Sequence, residues 1–139
     1  MPAVAGEVMT GDVILIVEDN ENNRLLVRDV LQVTGYRTEE TETAEDGLRL
    51  ARQLQPALIV MDIELPGMNG IDALGHLRAD PATRGIPVIA VTASVMVQDR
   101  GKIMAAGFDG YQGKPISVTE FLETVRAVLD ARRQVPDPS

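Results

Sequence analysis

Three short blocks of unbroken apolar residues limit what this chain can become: VILIV at Val13 to Val17, LIVM at Leu58 to Met61 and VIAV at Val88 to Val91. Each is about one strand long, and none alternates with polar residues. Such blocks suit strands covered on both faces, as in a parallel sheet sandwiched between helices. The intervening segments agree. Residues 21 to 34 carry Leu25, Leu26, Val30, Leu31 and Val33 at helical spacing, with Gly35 where a helix stop belongs. Thr43-Ala-Glu-Asp46 has a capping-box pattern that opens a second helix, with Leu48, Ala51 and Leu54 on one face and Pro56 as its stop. A short helix is expected over Ile71 to Ala79, and another ending near Ala106, before Gly107. The last helix starts at a second capping box, Ser117-Val-Thr-Glu120, and lines up Phe121, Leu122, Val125, Val128 and Leu129. Weaker strand signals at Tyr36 to Thr41 and Asp109 to Gln112, with Ile86 to Thr92 as the fourth strand, bring the alternation to five repeats. That order predicts an α/β, doubly wound, five-stranded parallel sheet with helices on both faces.

The chain has 139 residues, enough for one domain with a real core. Residues 1–11 are expected to be an N-terminal extension, 12–133 the domain and 134–139 (QVPDPS) a tail. The absence of cysteine excludes disulfides and thiolate metal sites. The longest apolar runs, Val13 to Val17 and Ala57 to Met61, are far too short to cross a membrane. MPAVAGEVMTGD lacks the basic stretch and long apolar core of a secretion signal, so a cytoplasmic protein is expected. A net charge of −8 without any basic block argues against direct binding to nucleic acid. The acidic cluster of Glu39, Glu40 and Glu42 reads as a solvated strand edge, and His76 as a surface histidine.

In doubly wound sheets, ligands sit outside the carboxyl ends of the strands, where the strand order reverses. Glu18 and Asp19 follow the first strand, Asp62 ends the third, Thr92 ends the fourth and Lys114-Pro115 follows the fifth. Three carboxylates gathered in one pocket repel, by about 4 kcal/mol per pair at 4 Å and an effective dielectric near 20. A hard divalent cation such as Mg²⁺, held by a few carboxylates and water, relieves that repulsion. With Mg²⁺ bound, three negative charges become one, which the Lys114 ammonium neutralises. Such a pocket can accept a phosphoryl group on Asp62, with the metal and Lys114 balancing its oxygens and the Thr92 hydroxyl donating to a third.

Taken singly, these residues have plainer uses. Glu18 and Asp19 suit a helix N-terminus, Asp62 suits the turn that follows it, Thr92 suits any strand, and Lys114 suits any surface. Their arrival together at four strand ends is what coincidence explains poorly.

The ordered motifs LIVEDN, LIVMDIELPGMNG, VIAVTAS and GKPIS resemble the receiver domain of two-component response regulators, the CheY-like family, over about Asp12 to Arg133. The resemblance implies a flavodoxin-like (βα)5 sheet of strand order 2-1-3-4-5. It implies that Asp62 takes a phosphoryl group from a phosphohistidine of a sensor histidine kinase or histidine phosphotransfer protein. By the same resemblance Asp19, Asp62 and the backbone carbonyl of Glu64 hold Mg²⁺, with Glu18 reaching it through water. Lys114 contacts the phosphoryl group, ahead of a cis Lys114-Pro115 peptide. Thr92 and Tyr111 match the family's switch pair, and Glu64 and Ser94 match positions where the family varies phosphate lifetime. Kinase docking is implied for Asn22 to Arg28. Output to a protein partner is implied for the face of the fourth helix, fifth strand and fifth helix, with Met96, Val97 and Met104 contributing. With no second domain after the last helix, output is expected through that partner; a phosphate shuttle without output of its own stays open.

Two other classes share parts of this chemistry. A phosphatase of the haloacid dehalogenase type also uses an aspartyl phosphate, Mg²⁺, Thr and Lys, but wants its Asp-x-Asp nucleophile after the first strand; here Asp62 follows the third, Glu64 stands in the second position, and the chain has no length for a cap domain. A flavodoxin-like FMN binder shares the topology, but needs a phosphate loop where Glu18 and Asp19 would repel phosphate.

Overall fold

The computed structural model describes residues 13–93 and 97–134, apart from the side chains of 97–99 and 132–134. The elements run β1 (Val13–Val17), α1 (Glu21–Val33), β2 (Arg37–Thr41), α2 (Ala44–Leu54), β3 (Leu58–Asp62), α3 (Gly70–Ala79), β4 (Val88–Thr92), α4 (Val97–Ala105), β5 (Gly110–Gly113) and α5 (Val118–Gln134). The strands form one parallel sheet in the order β2-β1-β3-β4-β5. The expected α/β doubly wound sheet is therefore the observed one.

The unbroken apolar blocks are explained by burial on both sides. All five residues of β1, β3 and β4 are buried. Ile14, Ile16, Leu58, Val60, Ile89 and Val91 pack with Val27 and Leu31 of α1 and with Phe121 and Val125 of α5. The alternate residues Leu15, Val17, Ile59, Met61, Val88 and Ala90 pack with Ala51 of α2, Leu74 and Leu77 of α3 and Ile103 of α4. The edge strand β2 is the exception, with exposed and half-buried residues only.

Several expectations shift in detail. β4 starts at Val88, β5 ends one residue later than expected, and Gln134 closes α5 where the tail was placed. Val33 is 88% exposed and Leu26 37% exposed, although both fit the apolar spacing of α1. At about 100° per residue, Val33 lies about 200° round the helix from the buried Leu31, on the opposite side. Ser94, Met96, residues 1–11 and residues 135–139 lie outside the described residues.

Local chemistry fixes the helix starts. Thr43 accepts from the Asp46 amide at 3.1 Å, as the capping pattern predicts. Asn20 caps α1 by accepting from Asn23 N at 3.0 Å, and Asn69 caps α3 by accepting from Asp72 N at 2.8 Å. Neither asparagine cap follows from the sequence reading, in which Glu18 and Asp19 suit the start of α1 and no residue is named as the cap of α3.

Candidate functional site

The sheet register brings the acidic residues together. Val17 pairs with Met61, so one row further along Glu18 and Asp62 stand side by side, at the carboxyl ends of β1 and β3. This is where the chain reverses its order across the sheet, from β2 on one side of β1 to β3 on the other. Carboxylate oxygens of Glu18, Asp19 and Asp62 all lie within 4.8 Å of one another. Glu18 and Asp62 are 3% and 2% exposed, whereas Asp19 faces solvent.

Each member is held from behind. The Glu18 amide donates to Thr41 O at 3.0 Å, extending the β1–β2 ladder, and its side chain accepts from the Asn20 amide at 3.1 Å. Arg24, from the first turn of α1, donates to Glu18 O at 3.0 Å and to Glu40 Oε1 at 3.1 Å, tying the acidic loop to β2. Asp62 spends its two oxygens separately. Oδ1 accepts from the Glu64 amide at 3.0 Å, and Oδ2 accepts from Lys114 Nζ at 3.2 Å. One oxygen of Asp62 thus caps the turn that follows, while the other pairs with Lys114.

Behind Asp62, Gly70 opens α3 with its amide donating to Ile63 O at 3.0 Å. A Cβ there would stand 2.6 Å from Asp62 O and 2.8 Å from Ile63 Cα, so only glycine lets the helix approach this closely. Gly67, at φ +74°, turns the intervening loop.

Lys114 closes the other side. Its amide donates to Thr92 O at 2.8 Å, its peptide to Pro115 is cis, and its ammonium lies 3.2 Å from Asp62 and 3.3 Å from Glu18. Burial pulls down the pKa of this ammonium, but the charges and hydrogen bonds of Asp62 and Glu18 outweigh it and hold Lys114 above its ordinary value. Burial, then the hydrogen bond and charge of Asp62, push the Glu18 carboxyl up to about 7, against the opposing Asn20 amide and Lys114. The crowding of negative charge is thus only partly relieved by one ammonium. A divalent cation fits the donor set, which is all oxygen, mostly carboxylate and partly open to water.

Thr92 is 1% exposed. Its hydroxyl donates to Glu64 Oε2, and the Ala93 amide donates to Glu64 Oε1 at 3.1 Å. Sequence reasoning gave the Glu64 carbonyl to Mg²⁺ and placed its side chain at a position where the family varies phosphate lifetime, but it did not anticipate this side-chain bridge. Parallel pairing of Ala90 with Tyr111 and of Thr92 with Gly113 puts Thr92 and Tyr111 on the same face of the sheet. Tyr111 is half-buried against the core, with the Arg100 guanidinium 5.7 Å from its ring centre. His76 is exposed and away from this site, and Met104 is 41% exposed on α4.

The response regulator receiver domain family matches residues 14–126, so the chain belongs to that family of signalling domains, and the five-stranded 2-1-3-4-5 sheet with an acidic trio and a lysine at its switch point agrees with it. Within it, the chain is 45% identical over 116 residues to the polar-differentiation response regulators DivK of Brucella ovis and Brucella abortus, covering 84% of this chain and 94% of each relative. Among solved structures, it resembles a CheY-like receiver domain protein from Methanospirillum hungatei, with TM-score 0.81, 28% identity and coverage of 90% and 98% of the two chains. It also resembles the receiver domain of a sensor histidine kinase from Pseudomonas aeruginosa, with TM-score 0.79, 31% identity and coverage of 86% and 98%. That structure holds a magnesium ion coordinated in its active-site cleft.

Proposed function

We propose that this chain works as a single-domain response regulator that accepts a phosphoryl group on Asp62 from a phosphohistidine of a sensor histidine kinase or histidine phosphotransfer protein. The observation that carries this is the buried Asp62 carboxylate with Lys114 Nζ at 3.2 Å and two further carboxylates within 4.8 Å. One Asp62 oxygen forms the new O–P bond as the P–N bond to the donor imidazole breaks. The electron pair leaves with the imidazole nitrogen, which takes a proton. Lys114, already in contact with Asp62, neutralises charge on the transferred oxygens. Asp19, Asp62 and the Glu64 carbonyl would hold Mg²⁺, with Glu18 reaching it through water, and the ion supplies charge neutralisation and orientation when bound.

Thr92 and Tyr111 form the switch in this proposal. The hydroxyl turns toward the phosphoryl group, and the aromatic ring, on the same face, moves inward behind it. A depression of about 430 Å³, lined by Arg100, Tyr111, Gln112, Glu120, Glu123 and Thr124, lies beside that ring across α4, β5 and α5. A downstream protein target reads this face.

The test is intact-mass spectrometry after incubation with Mg²⁺ and acetyl phosphate, with Asp62→Asn as control. A single hydroxylamine-labile phosphoryl adduct, dependent on Mg²⁺ and absent from the folded control, is expected. An adduct that persists in Asp62→Asn, or none in the wild type, overturns the assignment.

A further inference from the structure

The Glu64 side chain has no part in the chemistry just described, yet it makes two specific contacts at the site. Its carboxylate accepts from both the hydroxyl of Thr92, the last residue of β4, and the amide of Ala93, which follows it. Each of these groups has a single proton to give. While Glu64 accepts from them, neither can serve an anion on Asp62. The contact is a strong one, because a carboxylate accepts more strongly than a neutral oxygen. Asp62 stands in the neighbouring strand, in register with Val91, the residue before Thr92. Glu64 also stays close to Asp62, since its own amide donates to Asp62 Oδ1 at 3.0 Å.

We infer that Glu64 is a positioning residue: in the resting protein its carboxylate stands in for the phosphoryl group at Thr92 and Ala93, and holds the switch in its unphosphorylated arrangement until a true phosphoryl group displaces it. The inference rests on the phosphoacceptor role of Asp62. A phosphoryl group brings about −1.5 to −2 charges beside Asp62, which repels Glu64 and competes for the same two donors. Only the difference in binding between the two arrangements shifts the equilibrium, so Glu64 acts by stabilising the resting one. Glu64 is an exposed residue, so its side chain has solvent to move into.

The probe is beryllofluoride with Mg²⁺, an anion that occupies a phosphoryl position without a covalent step. Glu64→Ala should bind it roughly tenfold more tightly than wild type, the equivalent of about 1.4 kcal/mol, with Glu64→Gln between the two because its amide oxygen still accepts. A second readout excludes a mere charge effect. In Glu64→Ala without any anion, the Tyr111 ring resonances should already move part of the way toward their positions in wild type saturated with Mg²⁺ and beryllofluoride. Unchanged or weaker binding in Glu64→Ala, or tighter binding with Tyr111 unmoved, overturns the latch. Failure of wild type itself to bind beryllofluoride overturns the phosphoacceptor role instead, so the two failures are distinguishable.

Discussion

The ionisation of Glu18 shows how far a single residue departs from its sequence-level description. On paper it is one of two adjacent acidic residues; in the fold it is 3% exposed, beside Asp62, with Lys114 on one side and a backbone amide on the other. Burial first, and Asp62 second, raise its pKa from 4.5 to about 7. A carboxyl raised on folding holds its proton in the folded state when the unfolded chain has lost it. It therefore contributes stability below pH 4.5, and that contribution is lost as pH rises through about 7. Cation binding has the opposite sign, because Mg²⁺ must displace that proton. Mg²⁺ affinity should climb as pH rises toward about 7 and level off above it, when followed by titration calorimetry across that range. Affinity that is flat across this range would show that Glu18 is ionised throughout. None of this was legible from EDN alone. The residue types announced a metal site; the proton on one of them depends on register and burial, which no linear spacing contains.

At the scale of elements, the fold was legible where burial makes a strong pattern and less so where a single contact decides. The blocks of β1, β3 and β4 were readable because two-sided burial leaves no room for polar residues. The caps at Asn20 and Asn69 were not: Glu18, Asp19 and Asn20 all suit the duty before α1, and before α3 only the backbone path sets Asn69 at the helix start. The exposure of Val33 followed from angle around α1, which a count of apolar spacings ignores. The junction of β3 and α3 is the tightest of these local decisions. Gly70 lets the first turn of α3 rest on the backbone of Asp62 and Ile63, and an added methyl would meet backbone atoms at 2.6 and 2.8 Å. Backbone cannot rotate aside as a flexible side chain can. Gly70→Ala should therefore lower unfolding free energy by about 1–3 kcal/mol, the usual cost of overpacking, despite the better helix propensity of alanine. Urea unfolding should show a lower midpoint with an unchanged slope. Equal or greater stability would mean that α3 can slide away from the sheet at no cost.

The whole molecule joins these scales through one tension. A rigid parallel sheet, clamped by two apolar layers, fixes Glu18, Asp19 and Asp62 together at its switch point, where the carboxylates cannot relax apart. Lys114 offsets part of that repulsion, and a net charge of −8 over the chain adds to it. The fold thus holds, at some cost, an all-oxygen donor set that suits a divalent cation. The unfolded chain has no such cluster, so a cation that binds the folded form stabilises it by mass action. At a hundredfold excess over its dissociation constant, Mg²⁺ should contribute about 2.7 kcal/mol, a rise on the order of 10 °C in thermal midpoint. The comparison is against NaCl at equal ionic strength, which removes the part due to screening. Asp62→Asn separates site from fold. Without metal it should melt at or above the wild-type temperature, because one repelling charge is gone while Lys114 keeps its contact with Glu18. With Mg²⁺ it should lose most of the wild-type increment. Should the variant gain as much from Mg²⁺ as the wild type does, the cation binds elsewhere, and the repulsion among Glu18, Asp19 and Asp62 is not what the metal relieves.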